Sequence, residues 1–185
     1  MEKLQRFREN LAAEKIDAMI ITNPYNRRYI SNFTGTSGIV VISEKEAKFI
    51  TDFRYTEQAA KQAVGFEIVK HTGPIENEVA AQLKAMGAKK VGFEQDDLTF
   101  ALYKTYEGVV EGELVPLSGF VEKLRLIKTP EEIKILKDAA DIADAAFEHI
   151  LGFIRPGLTE MEVSNELEFF MRKAGATSSS FDTIV

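Results

Sequence analysis

Apolar residues recur at two different spacings along this chain, and the change of spacing divides it. From Thr129 onward the step is three or four. Ile133, Leu136, Ala140, Ala143, Phe147, Ile150 and Ile154 make one stripe along a helix of about seven turns. Thr129 caps this helix, Pro130 takes its first position, and Glu132 completes a capping box three residues on. Arg155-Pro156-Gly157 stops it. Thr159 and Glu162 repeat the box ahead of Val163, Leu167, Phe170 and Ala174, and Gly175 ends the second helix. Phe181-Asp182-Thr183-Ile184-Val185 then reads as a strand.

Upstream the apolar runs are short. Glu2 to Glu14 is expected as a helix with Leu4, Phe7 and Leu11 inward, and Ala18-Met19-Ile20-Ile21 has the length of a buried strand. Asn23-Pro24 breaks that strand, and Tyr25 to Ile30 reads as a short helix. Ile39 to Ile42 and Ala47 to Thr51, joined by Glu44-Lys45, are expected to pair as an antiparallel hairpin. Helices over 55–64, 75–86 and 99–107 then alternate with strands at 66–70, 91–94 and 114–115. That alternation predicts an α/β domain with a mixed sheet and flanking helices. Its boundary should fall near Ser118 to Lys128, where a further short helix links it to the long helix opened by Thr129. One strand is not a stable sheet, so the two long helices and the strand at the end read as the start of a second domain and the chain as the front part of a longer protein.

Composition narrows the chemistry. The net charge of −6 over 185 residues argues against a nucleic-acid partner, which needs clustered cations. The absence of cysteine removes thiolate and disulfide chemistry and fits a reducing compartment. MEKLQRFREN lacks the apolar centre of a signal peptide, and no apolar run approaches transmembrane length. Gly35-Thr36-Ser37-Gly38 is followed by a strand and carries no lysine, so it is read as a turn and not a phosphate cradle. Asp138, Asp141 and Asp144 step around the outside of the long helix and are assigned to its solvated face. His71 and His149 have no companion at metal-motif spacing and are assigned to the surface.

IKTPEEIKILKDAADIADAA, PGLTEMEV, LEFFMRKAGA and SSFDTIV together resemble the opening of the "pita-bread" catalytic domain of proline-specific metallopeptidases. DAMIIT, NRRYISNFTGTSG and TDFRYTEQA resemble the creatinase-type N-terminal domain that precedes it in the same family, and LRLIK its junction. The resemblance implies residues 1–123 as that N-terminal domain, and 124–185 as the truncated start, two helices and one strand, of the catalytic one. It implies a cytoplasmic Xaa-Pro dipeptidase or aminopeptidase that hydrolyses the bond before proline in short peptides. The family uses two divalent metal ions (Mn, Zn or Co) held by two aspartates, a histidine and two glutamates. All five lie beyond the FDTIV motif, so no metal ligand and no catalytic residue is assigned here, and the chain alone is expected to be inactive.

The resemblance also implies a homodimer in which a loop of one N-terminal domain covers the partner's substrate. Asn32 to Gly38 matches that loop, its Gly, Ser and Thr content suggests mobility, and Phe33 is expected to project from it; the other reading is that Phe33 anchors the loop in the core of its own domain. Asp52, Arg54 and Tyr55 match a T-D-x-R-Y motif. Arg54 is open to two readings, a donor to a peptide carboxylate or an ion pair with Asp52 or Glu57. Asn32 stands where many relatives have glycine, a departure that points to a less flexible loop here. Two other readings remain: a non-catalytic homologue that binds peptides or protein partners, and a creatinase-like amidinohydrolase.

Overall fold

The computed structural model describes residues 2–181, so all but the first residue of the expected strand from Phe181 to Val185 lies outside the described residues. Two compact units divide after Ile127. The first is built on a six-stranded mixed sheet in the order β4-β3-β2-β1-β5-β6. Its strands are β1 (Ala18–Ile21), β2 (Ile39–Ser43), β3 (Ala47–Thr51), β4 (Glu67–Lys70), β5 (Lys90–Glu94) and β6 (Glu113–Leu117). β2 runs antiparallel to β1 and forms the expected hairpin with β3, while β3–β4, β1–β5 and β5–β6 are parallel pairs.

AMII and IVVI carry no polar alternation because both faces of the sheet are covered. Met19, Ile21, Val40, Ile42 and Phe49 point to one side. They meet α1 (Glu2–Ala13), α2 (Pro24–Ser31), α3 (Thr56–Gln62) and α6 (Phe120–Leu126) through Phe7, Leu11, Ile30, Ala59, Phe120, Val121 and Leu124. Ala18, Ile20, Val41 and Ile50 alternate to the other side. There they pack on α4 (Ile75–Ala85) and α5 (Phe100–Val109) through Val79, Leu83 and Tyr106. The linking helix expected between Ser118 and Lys128 is α6, and Leu124, the first residue assigned above to the second domain, is buried in the core of the first unit.

The second unit contains α7 (Pro130–Phe153) and α8 (Glu160–Lys173), each opened by the capping box expected from its sequence. Ala146 and Ile150 are buried on α7, whereas Ile133, Leu136, Phe147 and Ile154 of the stripe stay exposed. Asp138 and Asp141 pair with Lys134 and Lys137 on the solvated side. His149 stays partly exposed, with 35% of its side chain accessible, and also makes a bridge the sequence did not suggest. Its Nε2 lies 2.7 Å from Glu166 on α8, and its ring stacks on Phe170 at 4.4 Å, so it joins the two helices. A separation of 17 residues hides the pairing with Glu166 from any local pattern.

α1 is held to α6 by Phe7 and Phe120, whose rings meet edge to face with centroids 5.1 Å apart. Phe7 is fully buried. Phe7→Ala should cost about 3–5 kcal/mol in urea unfolding followed by circular dichroism, with the denaturant slope unchanged.

Candidate functional site

The strand registers bring chemistry to one edge. Ile21 pairs with Val40, Ile39 with Ile50, Thr51 with Lys70, and Glu94 with Leu117. The ends of β1, β3, β4, β5 and β6 and the start of β2 therefore share one border of the sheet. The segments along it are Thr22-Asn23, the loop 32–38, Asp52 to Tyr55, His71 to Gly73, and Gln95 to Leu98. A cavity of about 610 Å³ lies at the opposite border, where Arg8, Lys15, Lys45 and Lys89 mix with Asp17, Glu44 and Glu46. It contains no pairing of nucleophile and base.

A polar knot fixes the middle of the border. Asn23 caps α2, its Oδ1 accepting from the amides of Tyr25 and Asn26. Glu94, nearly buried, accepts from the amides of Thr22 and Asn23 at 2.7 and 2.8 Å and from Asn26 Nδ2 at 2.6 Å. Burial pushes the Glu94 carboxyl up from its ordinary range, and the donors from Asn23, Asn26 and Thr22 pull it partly back. Asp97 accepts from the Thr22 hydroxyl at 2.6 Å and Asn23 Nδ2 at 3.1 Å. Asn26 continues to α6, donating to Glu122 and accepting from Arg125 Nη1 at 2.9 Å.

The loop 32–38 leaves α2 through Asn32, whose φ of 60° is left-handed. Asparagine is the side chain that best tolerates this conformation after glycine, which accounts for its place here. The expectation that Phe33 projects is corrected by the structure, which favours the other reading, an anchor in the core. Its ring is 1% exposed and sits against Phe49 at 4.5 Å and Tyr55 at 5.7 Å. Gly35 leaves the space that the ring occupies, since a Cβ there would lie 2.3 Å from Phe33 Cζ. An apolar ring with a core within reach gains more from burial than from solvent, and composition cannot register that a core is adjacent.

The mobility suggested by the loop's composition is likewise not what its bonding favours. The amide of Phe33 donates to Ser31 Oγ at 3.2 Å, and that of Thr34 to Gln62 Oε1 at 2.9 Å. The carbonyls of Gly35 and Gly38 accept from Arg27 at 3.0 and 2.7 Å. Thr36 Oγ1 meets the Tyr55 hydroxyl at 2.7 Å, and the carbonyl of Ser37 accepts from Thr51 Oγ1 at 2.9 Å. Each residue from 33 to 38 thus has its own anchor.

Asp52, Arg54 and Tyr55 do come together with the loop. Arg54 Nε and Nη2 donate to the two carboxylate oxygens of Asp52 at 2.9 and 2.8 Å, a two-pronged pair, and the Arg54 amide donates to Oδ1 at 2.9 Å. Glu57, the other partner considered, bonds Lys61 instead. The Arg54 side chain stays 60% exposed with its guanidinium 5.3 Å from the centre of the Tyr55 ring, and Phe53, between Asp52 and Arg54 in the chain, is 76% exposed. Sequence reasoning missed Phe53. Its signal was an aromatic among polar neighbours in a turn. Among the described residues no three His, Cys, Asp or Glu side chains come together to hold a metal ion. The border carries an exposed guanidinium, an exposed ring and hydroxyls of the loop.

The match to known proteins decides the family. The model of the creatinase/prolidase N-terminal domain covers residues 3–127, and that of metallopeptidase family M24 covers 134–185. The chain belongs to the creatinase/prolidase family. An uncharacterised peptidase of Bacillus subtilis, YqhT, is 53% identical over 99% of this chain and 52% of its own length. A Xaa-Pro dipeptidase of Pyrococcus furiosus is 29% identical over all of this chain and 51% of its own length. The solved Xaa-Pro dipeptidase of Bacillus anthracis superposes with a TM-score of 0.95 and 64% identity, over 98% of this chain and 51% of that one. The chain spans about half the length of these relatives. The creatinase/prolidase sheet is therefore the frame on which the Asp52–Arg54 pair and the loop are displayed.

The Arg54 pair holds the Asp52 carboxyl down to about 2, the hydrogen bond from Arg54 being the main cause. A depressed carboxylate stabilises the fold above its ordinary range and loses that contribution as pH falls through its own value. A carbon-detected NMR titration should find Asp52 changing near pH 2, and Arg54→Met should return it to about 3.9. An unshifted Asp52 in the unaltered chain would mean that the pair does not persist in solution.

Proposed function

We propose that the complete protein is a metal-dependent Xaa-Pro dipeptidase or aminopeptidase. In this reading the chain supplies the whole N-terminal domain and the first helices of the catalytic one, over residues 1–123 and 124–185 or a boundary a few residues later. The observation that carries the reading is the order of the two family matches along one chain, supported by the likeness to the Bacillus anthracis dipeptidase over almost the full length of this chain. In this reading the divalent ions are held outside the described residues, among which no three His, Cys, Asp or Glu side chains come together to hold one, and no step is routed through them. In this reading the protein acts as a cytoplasmic homodimer. No helix among the described residues is long and apolar enough to cross a membrane.

Within this reading the border carrying Asp52, Arg54 and Tyr55 faces the substrate of the partner subunit. Arg54, oriented by Asp52, places a guanidinium where a peptide carboxylate can take it. Phe53 supplies apolar contact and excludes water, which strengthens nearby electrostatic interactions. Phe33 serves the same loop from inside the core.

The test uses the complete protein with alanyl-proline, a longer Xaa-Pro peptide and creatine. Hydrolysis of a proline peptide, lost on chelation and regained with manganese, is the expected result; turnover of creatine alone would overturn it. Arg54→Met should then raise KM by roughly tenfold with kcat and metal content little changed. Phe33→Ala should chiefly lower the melting temperature.

A further inference from the structure

Arg27 is the least expected buried side chain of the first unit. It is 5% exposed on the second turn of α2. Its Nε is buried with no hydrogen-bond partner. Burial lowers its pKa from the usual guanidinium value, with Asp97 and Tyr55 opposing that change from a distance. Placing a cation in such surroundings costs free energy. The compensation visible is a fork: Nη1 reaches the carbonyl of Gly38 at 2.7 Å and Nη2 that of Gly35 at 3.0 Å. Those two carbonyls bracket the turn of the loop, and both glycines are positions where a Cβ would strike an aromatic ring. The guanidinium also lies 5.9 Å from the centre of the Phe33 ring, the loop's apolar anchor. One side chain therefore touches the start, the turn and the end of the loop.

We propose that Arg27 is a positioning residue that fixes the loop 32–38 as a preformed rim of the substrate site. Asn32, Thr34 and Thr36 alternate outward on this rim, and Phe33, Gly35 and Ser37 are less exposed. The loop is then a fixed polar wall for a peptide backbone and not a lid that closes on it. A planar fork spans two carbonyls at once, which a point charge does not. Removal of the fork leaves both carbonyls in a poorly hydrated place without donors, and the loop opens to find water. The role at a substrate site rests on the peptidase reading above; the clamp itself does not.

Amide hydrogen exchange on the 185-residue chain separates the two. In Arg27→Met, the amides of Phe33 and Thr34 should exchange roughly tenfold faster or more. Those of Ile20 and Val41 in the sheet should keep their rates. Arg27→Lys should fall between, because one ammonium can serve only one of the two carbonyls at full strength. If Arg27→Met does not fold, Arg27→Lys alone decides: loop exchange equal to that of the unaltered chain overturns the clamp. Acceleration shared equally by the loop and the sheet also overturns it, because Arg27 would then be a packing residue. In the complete protein, Arg27→Met should raise KM for a Xaa-Pro dipeptide several-fold with kcat nearly kept, and Arg27→Lys should recover part of it. A complete protein with no Xaa-Pro activity would sink the peptidase reading while leaving the exchange result standing.

Discussion

The first unit depends on one constraint, which is that the polar side chains buried at the start of α2 must be held by partners from other elements. Asn26 and Arg27 are adjacent, both buried, and they face different tasks. Asn26 ties the ends of β1 and β5, through Glu94, to α6 through Glu122 and Arg125. Arg27 ties the same helix to the loop before β2. A buried donor or acceptor left unmade costs more than the net gain from a made one. Neither side chain can move without stranding several others. A helix of eight residues, marginal by itself, thereby becomes a fixed strut between the middle of the sheet and the border that displays Asp52 and Arg54.

The mixed sheet makes that arrangement possible. Because β2 is antiparallel to β1 while β4, β5 and β6 are parallel to their neighbours, five strand ends and one strand start meet on one border. Segments far apart in sequence, such as Thr36 and Tyr55, come within hydrogen-bonding distance there. The core beneath is apolar and tightly filled. Phe49 and Phe33 take up the space that Gly38 and Gly35 leave, so the border is positioned by packing as much as by polar bonds. The surface pair of Asp52 and Arg54 adds little stability of its own.

Much of this was legible in the sequence because it depends on local periodicity and local caps. The two boxes at Thr129 and Thr159, the stripe of α7, the β2–β3 hairpin and the alternation of helix with strand all follow from residues within four or five of one another. The motifs NRRYISNFTGTSG and TDFRYTEQA were enough to place the family, and family membership carried the α/β architecture with it. The pairing of Arg54 with Asp52 over Glu57 is also short-range, but it was settled only by the turn that puts both carboxylate oxygens in front of the guanidinium.

Tertiary structure alone decided which way side chains face when the partner is distant in sequence. Phe33 looked like a projecting residue because its neighbours are small and polar, yet Phe49 and Tyr55 receive it in the core. The loop looked mobile because it is rich in Gly, Ser and Thr, yet Arg27, Thr51 and Gln62 hold it. His149 lies partly exposed and also joins α7 to α8, a contact its own helix does not announce. The physical reason is the same each time. Composition and periodicity report what a residue prefers on its own element, whereas burial and hydrogen bonding depend on what the fold brings against it from elsewhere.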